Sequence, residues 1–289
     1  MTTVLLPIAL GIVMFGLGLT LTPADFTRIG RHPRAVFVAL VCQLVLLPAV
    51  CFGLVLLFGL PPVLAVGMML LAASPGGTTA NLFSHLFRAD VALNISLTAI
   101  NSLISVVTLP LVVNLSLRWF DTGDPTLGLQ LGKTLEVFAI VLLPVAAGML
   151  VRARSAAIAA RAEKPVRIAS LVILVLVVAG TIVSNAELLA ENVGRLAGIT
   201  AVFCGVSLAV GFAVPRMFAV ERRQALAAAF EIGMHNATLA VVIAQSVLDN
   251  VEMSLPAGVY AVLMFFFAAG FGMLVRDRRR VRPPTADVR

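Results

Sequence analysis

Apolar stretches long enough to cross a bilayer recur along this chain from Met1 to Val275, separated only by short polar connections. A hydrocarbon layer about 30 Å thick is spanned by roughly 20 apolar residues in helical form. Lipid offers the backbone no hydrogen-bond partners, so such a chain folds as a bundle of spanning helices. Composition agrees: of 289 residues 60% are hydrophobic and only 12% charged, with a mean hydropathy of +1.06, far from a water-soluble domain. The reading is an all-α polytopic membrane protein. One integral domain covers residues 1–275, followed by a basic tail over 276–289.

Nine spans fit the pattern, at roughly 2–22, 35–59, 62–86, 91–117, 134–151, 168–186, 196–217, 224–247 and 255–275. With the N-terminus outside, 18 of the 21 Lys and Arg residues fall in cytoplasmic segments, among them Arg31, Arg88, Arg152 and the tail arginines. Only Arg118, Lys133 and Arg195 fall opposite, in connections that carry Asp121, Asp124, Glu187, Glu191, Asp249 and Glu252. This positive-inside asymmetry survives only with an odd span count. It predicts a multi-pass protein of a bacterial-type inner membrane with a cytoplasmic C-terminus. The net charge of +7 is then a matter of topology, with attraction to anionic membrane lipids as a side effect and no nucleic-acid partner. Cys42, Cys51 and Cys204 lie in apolar runs without metal-ligand spacing and read as small buried hydrophobes. Met1-Thr-Thr-Val lacks a basic leader region, so the first span is expected to be retained.

Two spans are interrupted. The third holds Ser74-Pro75-Gly76-Gly77-Thr78-Thr79-Ala80-Asn81, where a missing amide donor and two glycines break helical bonding in mid-membrane. The eighth holds Glu231-Ile232-Gly233-Met234-His235-Asn236. Freed backbone groups cannot face lipid, so each break is expected to be buried in protein or to line a wet cavity. Two plain spans, a broken span and a further span occur in each half. The fifth span between them turns the second copy over, which predicts an inverted repeat of the kind found in secondary transporters.

A carboxylate at the depth of Glu231 costs a few kcal/mol or more unless it faces protein, water or an ion, which marks a cation or proton site. Asn94, Thr98, Asn101 or Ser102, and Ser105 recur at steps of three or four and line one face of the fourth span. A hard cation such as sodium takes about five or six oxygens. Asn81, Asn94, Thr98, Gln43 and Glu231, with carbonyls freed at the breaks, supply them. Helix N-termini at the breaks suit the carboxylate or sulfonate of an organic anion. His235, four residues after Glu231, keeps proton coupling open as an alternative. His85 reads as interfacial and His32 as solvated, while Tyr260 and Phe265–Phe267 read as packing on lipid or on neighbouring helices in preference to lining a sterol-sized pocket. No His-Glu-x-x-His, Gly-x-Ser-x-Gly or paired-aspartate motif is present, so an enzyme is not expected.

Ile12–Phe26, Arg31-His32-Pro33, Ser74–Thr78, Asp90–Leu93 and Glu231–Met234 with Asn236 together resemble the bile acid:sodium symporter family and its bacterial homologues, in the nine-helix form. The resemblance covers nearly the whole chain. It implies a sodium-coupled symporter of an organic anion working by alternating access, with no cofactor and with Na+ as coupling ion. A panel of spans one, two, five and six would move against a core of spans three, four, seven, eight and nine, where two broken helices cross. It implies one sodium site from Glu231, Asn81, Asn94 and Thr98. A second would use Gln43, His235 and the carbonyls of Ile232 and Met234, with Glu231 shared. Asn236, with Thr78 and Thr79, would face substrate. The departures are Ala80 and Asn94 where the family has Ser or Thr, and His235 where it has Gln. Neutral imidazole is a poor sodium ligand, so the second site is expected to be weakened, lost or replaced by proton coupling. Alternatives of other kinds are a proton-coupled carrier or efflux protein, or a membrane sensor that binds without transporting. An arsenite exporter would call for a thiol where Ser74 stands. Substrate identity, transport direction and oligomeric state are left open.

Overall fold

The computed structural model describes residues 2–120, 131–184 and 186–275; Asp121, Asp124 and the tail 276–289 lie outside the described residues. The chain is helical throughout the described residues, and its sole extended pairing there is an isolated bridge between Gly76 and His235. Helix α1 (Thr2–Thr20) is followed by the short α2 (Pro23–Thr27), which Asp25 anchors by accepting from the Thr22 amide at 2.8 Å. The second span runs through α3 (Pro33–Val41), a π-helical turn (Cys42–Leu46) and α4 (Leu47–Phe58). Pro48 has no amide for the carbonyl four residues back, and just before it the helix widens, with Leu47 donating to Cys42. Gln43 sits inside that widened turn.

The third span is split into α5 (Pro62–Ala73) and α6 (Thr78–Leu86), and the unbroken α7 (Val91–Phe120) follows. Next come α8 (Leu131–Arg154), α9 (Ala156–Ser184) and α10 (Ala186–Met217). The eighth span is split into α11 (Arg222–Gly233) and α12 (Ala237–Val242), the latter ending in a π-turn (Ile243–Val247), and α13 (Leu255–Val275) closes the fold. Four stretches, Pro33–Phe58, Val91–Phe120, Leu189–Met217 and Glu252–Val275, are each long and apolar enough to cross a membrane. The split spans fall short singly because each half has at most 12 residues.

Both split spans are entered and left in the same way. Gly59 (φ 58°) precedes α5 and Ala219 (φ 55°) precedes α11, while Arg88 (φ 59°) follows α6 and Asp249 (φ 53°) follows the π-turn after α12. On the entry side the bonding repeats as well: Gly59 and Leu60 donate to Leu56 and Val55, and Ala219 and Val220 donate to Arg216 and Pro215. These are left-handed helix ends that satisfy final carbonyls and turn the chain sharply. Such a backbone rhythm carries no residue identity.

Helix α1 packs along α8 and α9, whereas α3 and α4 pack on α5, α7, α10 and α11. The second span therefore belongs with the broken helices, and not with α1, α8 and α9 as the resemblance implies. At the α1–α8 crossing Gly18 faces Gly148, and a Cβ on Gly148 would lie 2.8 Å from the Gly18 Cα. Small residues let two backbones meet there by van der Waals contact alone.

Gly18→Val is expected to force these helices apart and lower the apparent Tm of the detergent-solubilised protein, at a cost of about 1–3 kcal/mol. Gly53→Ala, whose Cβ would meet nothing within 4 Å, is expected to leave the Tm unchanged or raise it. Equal losses from both would contradict the close contact.

Candidate ion and substrate site

The two breaks meet and pair through their backbones. Gly77 donates to the Met234 carbonyl at 2.8 Å and Asn236 donates to the Pro75 carbonyl at 2.8 Å. Two donors and two acceptors freed by the breaks are thereby satisfied away from lipid. The Asn236 side chain also accepts from the Leu239 amide at 3.0 Å and so starts α12.

Glu231, at the end of α11, is wholly buried (0% exposed). One carboxylate oxygen accepts from Thr98 Oγ1 at 2.5 Å and the other from Asn101 Nδ2 at 3.2 Å. Both donors are neutral, and Glu231 has no cationic side-chain partner among the described residues. A Cβ on Gly76 would overlap this carboxylate, so the break supplies the clearance that Glu231 needs. Asn94 spends both amide hydrogens elsewhere, on Ser84 Oγ at 2.7 Å and the Ala227 carbonyl at 2.9 Å. Its oxygen is thus turned toward Thr98, 3.5 Å away. Asn101 Oδ1 and Asn81 Oδ1 are buried acceptors without a partner among the described residues.

A second group centres on the Ser74 carbonyl, which accepts from Gln43 Nε2 at 3.0 Å and faces His235 Nδ1 at 3.1 Å. Since a carbonyl only accepts, Nδ1 carries the hydrogen and Nε2 of the neutral ring is the bare nitrogen. That Nε2 and Gln43 Oε1 have no partner among the described residues. The imidazole stacks on Phe203 (5.4 Å, 12°) and meets the edge of Tyr260 (5.5 Å, 62°). Tyr260, wholly buried, donates to the Gly233 carbonyl at 2.9 Å, an internal strut at the end of α11 and not a lipid-facing ring. Met234 O is already engaged by Gly77, and the usual helical donor to Ile232 O, the Asn236 amide, goes to Pro75.

Thr78, Thr79 and Asn236 share the wall of a cavity of about 240 Å³ with Phe265. Asn81 lies instead in a neighbouring cavity of about 420 Å³. His85 lines that second cavity too, while His32 is exposed and is also joined to Gln224 at 2.9 Å. In the sequence Asn101 and Ser102 are undivided, and Gly76 reads only as a helix breaker and not as clearance for Glu231. The three-residue step from Thr98 to Asn101 was the available signal for the former.

Two interrupted helices crossing at a buried carboxylate make the architecture of a secondary transporter. The family model of the sodium bile acid symporter family matches residues 7–192, and the chain belongs to that family. It is 28% identical over 256 residues to the uncharacterized sodium-dependent transporter YocS of Bacillus subtilis (strain 168), covering 88% of this chain and 78% of the relative. It is also 28% identical to the human ileal sodium/bile acid cotransporter, over 92% of this chain and 77% of that protein. A probable chloroplastic sodium/metabolite cotransporter of rice (Oryza sativa subsp. japonica), BASS2, is 25% identical over 96% of this chain, which spans 65% of that longer protein. The chain is thus an integral membrane transport protein of a sodium-dependent family and not an enzyme.

Thr98→Val keeps the shape of the side chain and removes the hydrogen that Glu231 accepts. It is expected to destabilise the protein by about 1–3 kcal/mol, read as a lower Tm, with Thr98→Ser recovering most of the loss. An unchanged Tm in Thr98→Val would remove this bond from the account.

Proposed function

We propose that the chain is a sodium-coupled symporter of a small organic anion working by alternating access. The observation that carries this reading is the wholly buried Glu231 carboxylate, which sits at the crossing of two breaks with neutral donors only. An ionised group there calls for a counter-charge, and an exchangeable cation supplies one. Glu231, Thr98, Asn94 and Asn101 form the oxygen set, joined by Asn81 when the neighbouring cavity closes on it. Thr78, Thr79 and Asn236 hold the anion beside the N-terminus of α6.

The second group does not suit a hard cation. His235 turns its hydrogen to the Ser74 carbonyl and presents a lone nitrogen where an oxygen is needed. One sodium per anion is the stoichiometry that follows. The unpartnered Nε2 of His235 favours a second reading, in which a proton moves at that position.

Nine spans, an inverted repeat, an outside N-terminus and a cytoplasmic C-terminus complete the proposal. In it α1, α8 and α9 form the panel that moves against the remaining helices.

In proteoliposomes with cholate and 4-hydroxybutyrate as probes, an inward sodium gradient is expected to drive uptake, and Glu231→Gln to lower it at least about tenfold. With one sodium per monoanion, uptake is insensitive to membrane potential. His235→Gln is expected to make it potential-dependent by restoring a second oxygen ligand. Sodium-independent uptake of both probes would sink the symport reading, and potential-dependent uptake by the unaltered protein would sink the single-sodium stoichiometry.

A further inference from the structure

The cavity of about 420 Å³ lies between α1, α8 and α9 on one side and α6 and α7 on the other. It shares Thr78 and Ser170 with the smaller cavity at the crossover, so the two form one path toward the paired breaks. Arg152 from α8 and Glu163 from α9 both line it and are half-buried there. Among the described residues neither makes an ion pair or a hydrogen bond, and they do not pair with each other. Opposite charges at the wall of one small, partly apolar space attract strongly when nothing polar separates them. Two such charges left apart are complementary to an occupant that meets each with its own group.

We infer that this cavity is a two-ended substrate reader, in which Arg152 takes a carboxylate and Glu163 takes a hydroxyl at the other end of the same molecule. The inference rests on the symport reading and names its substrate class. A guanidinium holds a carboxylate by two parallel hydrogen bonds, whereas Glu163, when ionised, only accepts. Among the described residues His85 is the other titratable side chain lining the space, and Val13 and Leu82 add apolar wall. A second carboxylate on the substrate would meet Glu163 and be repelled. A plain alkyl acid would leave Glu163 without a partner.

The test uses the detergent-solubilised full chain in sodium buffer and reads thermal stabilisation by matched acids. The probes are butyrate, 4-hydroxybutyrate and succinate, with the corresponding six-carbon series. In at least one series the hydroxy acid is expected to stabilise at about tenfold lower concentration than the alkyl acid, with the dicarboxylate weakest. Glu163→Gln is expected to erase that advantage and admit the dicarboxylate, and Arg152→Gln to weaken every acid. The inference is overturned if alkyl acids or dicarboxylates rank first, if Glu163→Gln leaves the order unchanged, or if no acid stabilises a protein that sodium still stabilises. Stabilisation by sodium alone, abolished in Glu231→Gln and kept in both cavity variants, reports the ion site separately and shows that the variants are folded. Its absence from the unaltered protein would count against sodium coupling while leaving the acid ranking to stand or fall alone.

Discussion

Interrupting a helix inside a bilayer frees amides and carbonyls that lipid cannot satisfy, and here the two interruptions satisfy each other. Gly77 bonds to Met234 and Asn236 to Pro75, so each break is the hydrogen-bonding environment of the other. Neither break is self-sufficient, which makes the crossing a joint property of residues far apart in sequence. The pairing also sets where polar side chains gather. Glu231 ends α11 directly before the eighth-span break, and its carboxylate fits only because Gly76 opposite has no side chain.

Around that carboxylate the protein uses neutral donors. Thr98 and Asn101 come from a single face of α7, while Asn94 on the same face is held by Ser84 and Ala227 with its oxygen inward. The arrangement orients a negative charge without neutralising it. A Lys or Arg placed there would make a permanent pair, and a permanent pair has no use for an exchangeable ion.

Much of this was legible in the sequence because polar residues inside apolar runs stand out. Glu231, the Pro75-Gly76-Gly77 break and the Asn94–Thr98 step all announce themselves that way, and α-helical spacing places the α7 residues on one face. Other features leave no such mark. Whether Asn101 or Ser102 reaches Glu231 depends on the rotation of α7, since both lie within one turn of Thr98. The clearance at Gly76 is a distance between two breaks, which no local pattern encodes. The matching left-handed turns at Gly59 and Ala219 repeat a backbone shape with different residues, so no shared residue pattern announces them. Arg152 and Glu163 appear in the sequence only as loop charges, and their shared cavity emerges once α8 and α9 are folded beside α1.

The allegiance of the second span follows from the same hydrogen-bond constraint. The break leaves the Ser74 carbonyl without a helical donor, and two side chains from different elements turn toward it: Gln43 from the π-turn and His235 from the other break. The helix widens at Gln43 just before Pro48, so a turn of span two contributes to the environment of a carbonyl in span three. An amide and a ring so engaged tie α3 and α4 to the crossing. They have no comparable tie to α1, whose close partner is α8 through Gly18 and Gly148. The two cavities lie between α1 and α9 on one side and α6 and α12 on the other, and in the proposed mechanism they mark the boundary along which the panel moves.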